Sequence, residues 1–160
     1  MRVFLMSFNP VWAEKIRSGE KIYEYRQRFC DDDARVYMYI TKPVMQVCGI
    51  IDLKRRIALA EWEKKYSYDD AIVQRIRKYR VKNNYAMPIK SYYETEALSL
   101  EELRGEFKGF FAPQFCYDLD KNELLRKFIE KKCVMTGIMI NNEIDVEKEN
   151  EICRDYMKKE

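Results

Sequence analysis

The stretch from Lys21 to Leu53 holds three strand patterns, and nothing between them is long enough to be a helix. Lys21 to Arg28 alternates, with Lys21, Tyr23 and Tyr25 on one side and Ile22, Glu24, Arg26 and Arg28 on the other. Arg35 to Ile40 is a run of β-branched and aromatic residues. Thr41-Lys42-Pro43 breaks it, and Val44 to Leu53 makes the next strand. Gly49 inside that strand signals a bulge or a close backbone approach. Consecutive strands of this kind exclude a chain of repeating strand–helix–strand units. They predict an α+β fold built on a small, strongly curved sheet.

The flanking elements fit that plan. Arg2 to Ser7 is a short apolar run and reads as a buried strand. Asn9-Pro10 starts a helix, with Asn9 as N-cap and Pro10 at the first helical position. It packs through Val11, Trp12 and Ile16 and ends at Ser18-Gly19. Residues 58–66 and 68–82 read as two helices. The second opens on Asp69-Asp70 and closes on Arg75, Arg77, Lys78, Arg80 and Lys82, which complements its dipole. Ala86 to Ala97 is extended. Ser99 and Glu102 form a capping box for a short helix, an aromatic loop leads to a strand near Phe115–Leu119, and Asp120 caps a helix over 121–132. Val134 to Ile140 is a further strand. We expect one domain over residues 1–140, with a helical insertion at 57–82, and an acidic C-terminal segment over 141–160 that has scope for a surface helix.

Composition narrows the chemistry. The chain has no histidine, which removes histidine general bases, Ser-His-Asp and Cys-His pairs and the usual catalytic zinc sets. Any acid–base work falls to Lys, Glu, Asp, Tyr or Cys. The five cysteines form no C-x-x-C pair, and no secretory signal precedes them, so the expectation is a reduced, cytoplasmic protein without a metal or cofactor. No apolar run approaches the roughly 20 residues of a membrane helix. Charge is uneven: residues 1–90 hold 19 Lys/Arg against 11 Asp/Glu, and residues 91–160 hold 11 against 16. The basic half could face a polyanion such as nucleic acid, although a mixed solvated surface is the commoner use of such charge.

Lys21, Glu24 and Arg26 are the charged residues that this reading brings together beside a glycine turn. Glu24 and Arg26 share a strand face and should pair. They then either orient Lys21 or present arginine's planar donors to a phosphate or base edge. Arg28 is solvated or paired with Asp31 to Asp33. Phe8 and Trp12, next to the Gly19 turn, are the candidates for base stacking, against a core role for Tyr23, Tyr25, Tyr37 and Tyr39. Lys54-Arg55-Arg56 offers phosphate contacts at a rim, and Gln114 offers an amide to a base.

These residues also resemble a known family. Phe8 through Arg26 (FNPVWAEKIRSGEKIYEYR) is similar to the opening signature of ASCH domains: a helix, then S-G-x-K, then a strand ending in arginine. Tyr39-Ile40-Thr41-Lys42-Pro43 with Val47-Cys48-Gly49 resembles the next family block, and Ala112-Pro113-Gln114-Phe115 resembles a late P-P-Q-S-F segment. The likeness spans roughly residues 2–120. It implies a PUA-like mixed β-barrel of five to six strands with flanking helices. It also implies RNA or nucleotide binding in a cleft beside the first helix and the Gly-x-Lys turn. Longer members are described as predicted transcriptional regulators. One branch resembles amidohydrolases of acetylated cytidine, which use the motif lysine and a threonine three residues later; another is ribonuclease-like. Lys21 and Arg26 match the motif, but Glu24 stands at the threonine position and removes that hydroxyl. Binding is therefore the first expectation, with Lys21, Arg26, Trp12, Phe8, Lys54, Arg55, Arg56 and Gln114 as contacts. The alternative is a small hydrolase of a modified nucleoside or RNA using Lys21 and Glu24. A third reading is an adaptor that meets a protein partner through the C-terminal segment.

Overall fold

The computed structural model describes residues 1–157. Positions 158–160 of the acidic C-terminal segment lie outside the described residues. Strand β1 (Arg2–Phe8) leads into helix α1 (Pro10–Arg17), then β2 (Tyr23–Arg26), β3 (Ala34–Ile40) and β4 (Gln46–Leu53). A two-residue strand β5 (Ile57–Ala58) precedes helices α2 (Leu59–Lys65) and α3 (Asp70–Arg80). Then come β6 (Tyr85–Ser99), α4 (Leu100–Glu106), β7 (Cys116–Asp118), a 3-10 turn, α5 (Glu123–Lys132) and β8 (Met135–Asn141). Six strands run in the order β2-β6-β4-β3-β1-β7 and curl into a half-barrel; β5 and β8 both pair with the long β6. Among the described residues only β1 and β3 run parallel, because α1 and β2 carry the chain back between them; the other pairs are antiparallel. This is the α+β, PUA-like mixed sheet with flanking helices that the sequence implied.

The caps form for the expected reasons. Asn9 accepts from the Val11 amide, and Pro10 sits at the start of α1. Asp69 accepts from the Ala71 and Ile72 amides, and Ser99 and Glu102 close a capping box on α4. One cap differs. Asn122, not Asp120, caps α5, because residues 119–121 turn as a 3-10 helix that Asp118 caps. Gly49 is a close-approach glycine, since a Cβ there would fall 2.8 Å from the Tyr92 ring. The register slips between Val47 and Gly49, where the sheet bends.

Strand alternation divides the core. Val3 and Leu5 of β1 face α4 and α5, where they meet Leu100, Leu103, Leu125 and Ile129. Phe4, Met6 and Phe8 face the other way, against Ile16 of α1 and the inner side of β3 and β4. A third cluster joins Tyr23 and Tyr25 of β2 to Leu59, Trp62, Ile72 and Ile76 of α2 and α3. Ile152 and Cys153 belong to it, so the C-terminal residues are fully buried at that point. Residues 142–157 contain no helix and run as turns. Glu147 anchors them by accepting from Trp62 Nε1 at 2.5 Å, from the Tyr66 hydroxyl at 2.7 Å and from Lys65.

Candidate functional site

The α1–β2 turn sets the site. Gly19 takes φ +80, a left-handed conformation suited to glycine, and the reversed chain lets the Lys21 amide donate to the Lys15 carbonyl at 2.9 Å. Lys21 therefore enters the protein just ahead of β2. Its amine lies 3.2 Å from Glu24 Oε2, and both side chains are only 8% exposed. The rings of Trp12 and Tyr25 flank the ammonium at 5.2 and 6.0 Å. Glu24 Oε1 accepts from the Tyr25 amide at 3.1 Å and lies 3.6 Å from Arg26 Nε. One carboxylate thus serves two cations, and this buried group carries a net positive charge.

The same strand opens on its Arg26 side. A cleft of about 750 Å³ is lined by Glu24 to Cys30 of β2 and the loop after it. Arg2, Phe4 and Met6 of β1, Phe115 and Cys116 at β7, and Lys82 and Asn83 after α3 complete the lining. Phe4 packs against Phe29 at 5.3 Å and forms apolar floor. Phe115 is exposed at the edge. Arg26 stacks over the buried Phe8 ring at 5.4 Å and donates through Nη2 to the Ser7 carbonyl at 3.4 Å. Its Nε is buried with no hydrogen-bond partner, since 3.6 Å to Glu24 is an ion-pair distance but too long for a hydrogen bond. That nitrogen sits beside the Glu24 carboxylate and away from solvent, while the side chain as a whole is 20% exposed and borders the cleft. Arg2 is held by Asp118 and Asp120 at 2.5 and 3.0 Å. Arg28 and Lys82 are exposed and make no ion pair among the described residues. Desolvation pushes the Cys116 thiol up, with Arg26 opposing, so it is a poor source of thiolate.

The residues singled out in the sequence divide into three places. Arg26 and Glu24 line the cleft; Phe8 lies beneath Arg26 as buried support. Lys21 and Trp12 do not line the cleft; Lys21 lies behind Glu24 and Tyr25, which do. There Trp12 meets Tyr156 edge-on at 5.4 Å, and Arg154 pairs with Glu20 at 3.5 Å. The Cys153 amide donates to the Tyr25 hydroxyl at 2.8 Å. The C-terminal residues thus cover the ground beside the first helix and the glycine turn. Lys54, Arg55 and Arg56 are spent on the loop after β2. Lys54 pairs with Asp33 at 2.8 Å and Arg55 with Asp31 at 3.0 Å, while Arg56 donates to the Phe29 carbonyl at 2.6 Å and stacks on Tyr85. That use of the acids leaves Arg28 to face the cleft. Gln114 is exposed in its loop, next to the cleft-lining Phe115. Sequence reading missed Arg2, Phe4, Phe29, Lys82 and Phe115. Lys82 was named only within the basic end of a helix and Phe115 only within the Ala112–Phe115 segment, and the five come from four separate segments.

A curled PUA-like sheet with a basic cleft beside β2 defines the class of fold. It is the ASCH fold: the crystal structure of ASCH from Zymomonas mobilis superposes with a TM-score of 0.62, covering 83% of this chain and 97% of that one at 22% identity. Crystal structures of two single-residue variants of the same Zymomonas protein give TM-scores of 0.60, at 23% and 22% identity. They cover 81% of this chain and 96% and 99% of theirs. No family model matches the chain, and neither does any curated protein sequence. Among the described residues, no helix is long and apolar enough to cross a membrane.

Proposed function

We propose that this protein binds single-stranded RNA or a nucleotide in the cleft beside β2. The observation that carries the reading is the cationic wall of the cleft, where the partly exposed Arg26 side chain, supported from behind by Phe8 and Ser7, stands with the exposed Arg28 and Lys82. Cations and open donors suit phosphate oxygens. The floor of Phe4 and Met6, with Phe29 and Phe115 beside it, suits a base face, and stacking of this kind is worth about 1–3 kcal/mol per base. The volume falls within the roughly 300–1,000 Å³ of small-molecule sites and suits one splayed nucleotide rather than a duplex. The resemblance of the Ser18–Arg26 signature to RNA-binding domains points the same way, toward a regulatory role in RNA metabolism or transcription. The hydrolase alternative needs Lys21 at the reacting bond, and Lys21 is buried against Glu24 and does not itself line the cleft.

Fluorescence anisotropy with a short labelled single-stranded RNA tests this. We expect saturable binding that weakens steeply with salt, because phosphate contacts release counterions. Arg26→Ala should abolish it. Because Arg26 also supports Ser7 and Phe8, the Arg28→Ala/Lys82→Ala pair, both on the surface, is the control for folding. Unchanged affinity in that double variant would place the RNA elsewhere.

A further inference from the structure

Strand β8 is the most exposed strand of the sheet, and of its apolar side chains only Ile140 packs on the core. Val134 is 57% exposed, Met135 41%, Ile138 55% and Met139 46%. The strand pairs with β6 along one edge. Among the described residues no strand pairs with its other edge. An uncharged, apolar free edge is a template for another strand, and proteins normally blunt such edges with charge or proline. From 134 to 141 the sequence VMTGIMIN has neither. The charges stand outside the strand: Lys131 and Lys132 on the last turn of α5 before it, and Glu143 and Asp145 after it. All four are exposed, and none makes an ion pair among the described residues. This distribution discriminates between partners and directions. Antiparallel pairing of two β8 strands about a two-fold axis near Ile138 brings the lysine end of each copy to the acidic end of the other. Parallel pairing would set like charges together. The strand is therefore complementary to itself in one orientation.

We infer that β8 is a dimerisation edge, at which a second copy of this chain adds its own β8 antiparallel to make an isologous interface. With the axis at Ile138 the interface pairs the free backbone edge, sets Ile138 against its own copy and Met139 against Gly137, and brings Lys131 opposite Asp145. It lies away from the β2 cleft and does not depend on what the cleft binds.

Light scattering coupled to size exclusion, run across a range of protein concentrations, tests the inference on the full chain. The expected result is a mass of two chains that falls to one on dilution. Ile138→Lys, at an exposed position, should raise the dimer dissociation constant at least tenfold. Lys131→Glu/Lys132→Glu should weaken the dimer, and adding Glu143→Lys/Asp145→Lys should restore it, a rescue that general damage to folding would not give. Amide exchange provides the second reading, with protection over residues 135–141 that rises with protein concentration. A single-chain mass at every concentration would overturn the inference, as would a dimer indifferent to Ile138→Lys or pairing that the charge reversal does not rescue.

Discussion

Lys21 and Arg26 belong to one short segment and share one carboxylate, yet their surroundings are opposite. Around Lys21 every direction is filled, by Glu24, by the rings of Trp12 and Tyr25, and beyond them by Tyr156 and the Cys153–Arg154 backbone. Around Arg26 one side rests on Phe8 and Ser7 and the other gives onto open cleft. The lesson is that a motif cation can be used up by the fold that positions it. Lys21 is enclosed as a counter-charge that fixes Glu24, and Glu24 in turn holds Arg26 beside the cleft. On the proposed reading, recognition then falls to Arg26 and to residues remote in sequence.

That contrast can be broken by substitution. The largest effect should come from Glu24→Ala, which leaves two cations in a poorly solvated site; removing one partner of a buried pair typically costs about 3–5 kcal/mol. Urea denaturation would read it, and a loss below 1 kcal/mol would mean that the carboxylate does not hold the pair together. Lys21→Met keeps the aliphatic stem and leaves Glu24 with Arg26 and the Tyr25 amide, so a loss of about 1–3 kcal/mol follows, with RNA affinity nearly unchanged. The Arg28→Ala/Lys82→Ala variant should show the reverse pattern. Its stability stays within about 0.5 kcal/mol, its affinity drops roughly tenfold or more, and its salt slope shrinks by close to two. If the two variants gave the same profile, the division between structural and ligand-facing cations would fail.

The covering of Lys21 has its own pH dependence. Burial tends to raise the Glu147 carboxyl, but bonds from Lys65, Tyr66 and Trp62 outweigh it and hold the group below its usual value of 4.5. A depressed carboxyl gives stability that is fully present above the unfolded value and lost as pH falls through the folded one. Amide protection factors over residues 147–157, corrected for the intrinsic rate at each pH, should therefore fall below about pH 4.5. Glu147→Gln should remove much of that dependence and leave exchange in β3 unchanged. Protection that ignored acid would show that Glu147 does not anchor this segment. This is the smallest of the expected effects, since global stability changes little.

Much of the fold was legible because its signals are local. Asn9, Pro10, Asp69 and the Ser99/Glu102 box are decided by backbone donors one turn away. Gly49 announced a close approach, and Tyr92 supplies it. The Asp120 cap failed because a 3-10 turn inserts ahead of α5 and moves the cap to Asn122, a choice made by a few hydrogen bonds. The site was legible only along β2, where Glu24 and Arg26 alternate toward one face. The other cleft walls arise from tertiary pairing: Met6 lies opposite Cys116, and Arg26 opposite Tyr85, which follows Lys82 and Asn83. No spacing in the sequence encodes that. The packing of the C-terminal residues was equally hidden, since an acid-rich stretch looks solvated until Trp62 and Tyr66 are seen to donate to Glu147.

The central claim is that the ligand meets the Arg26 side of β2 and not the Lys21 side. Backbone amide shift mapping by NMR, with a short single-stranded RNA titrated into the full chain, tests it most directly. The account predicts shifts concentrated at Arg26, Arg28, Phe29, Lys82, Phe115 and Cys116, with Trp12, Lys21 and residues 153–156 quiet. Shifts centred on Trp12, Lys21 and Tyr156, or on Lys54 to Arg56 alone, would contradict it.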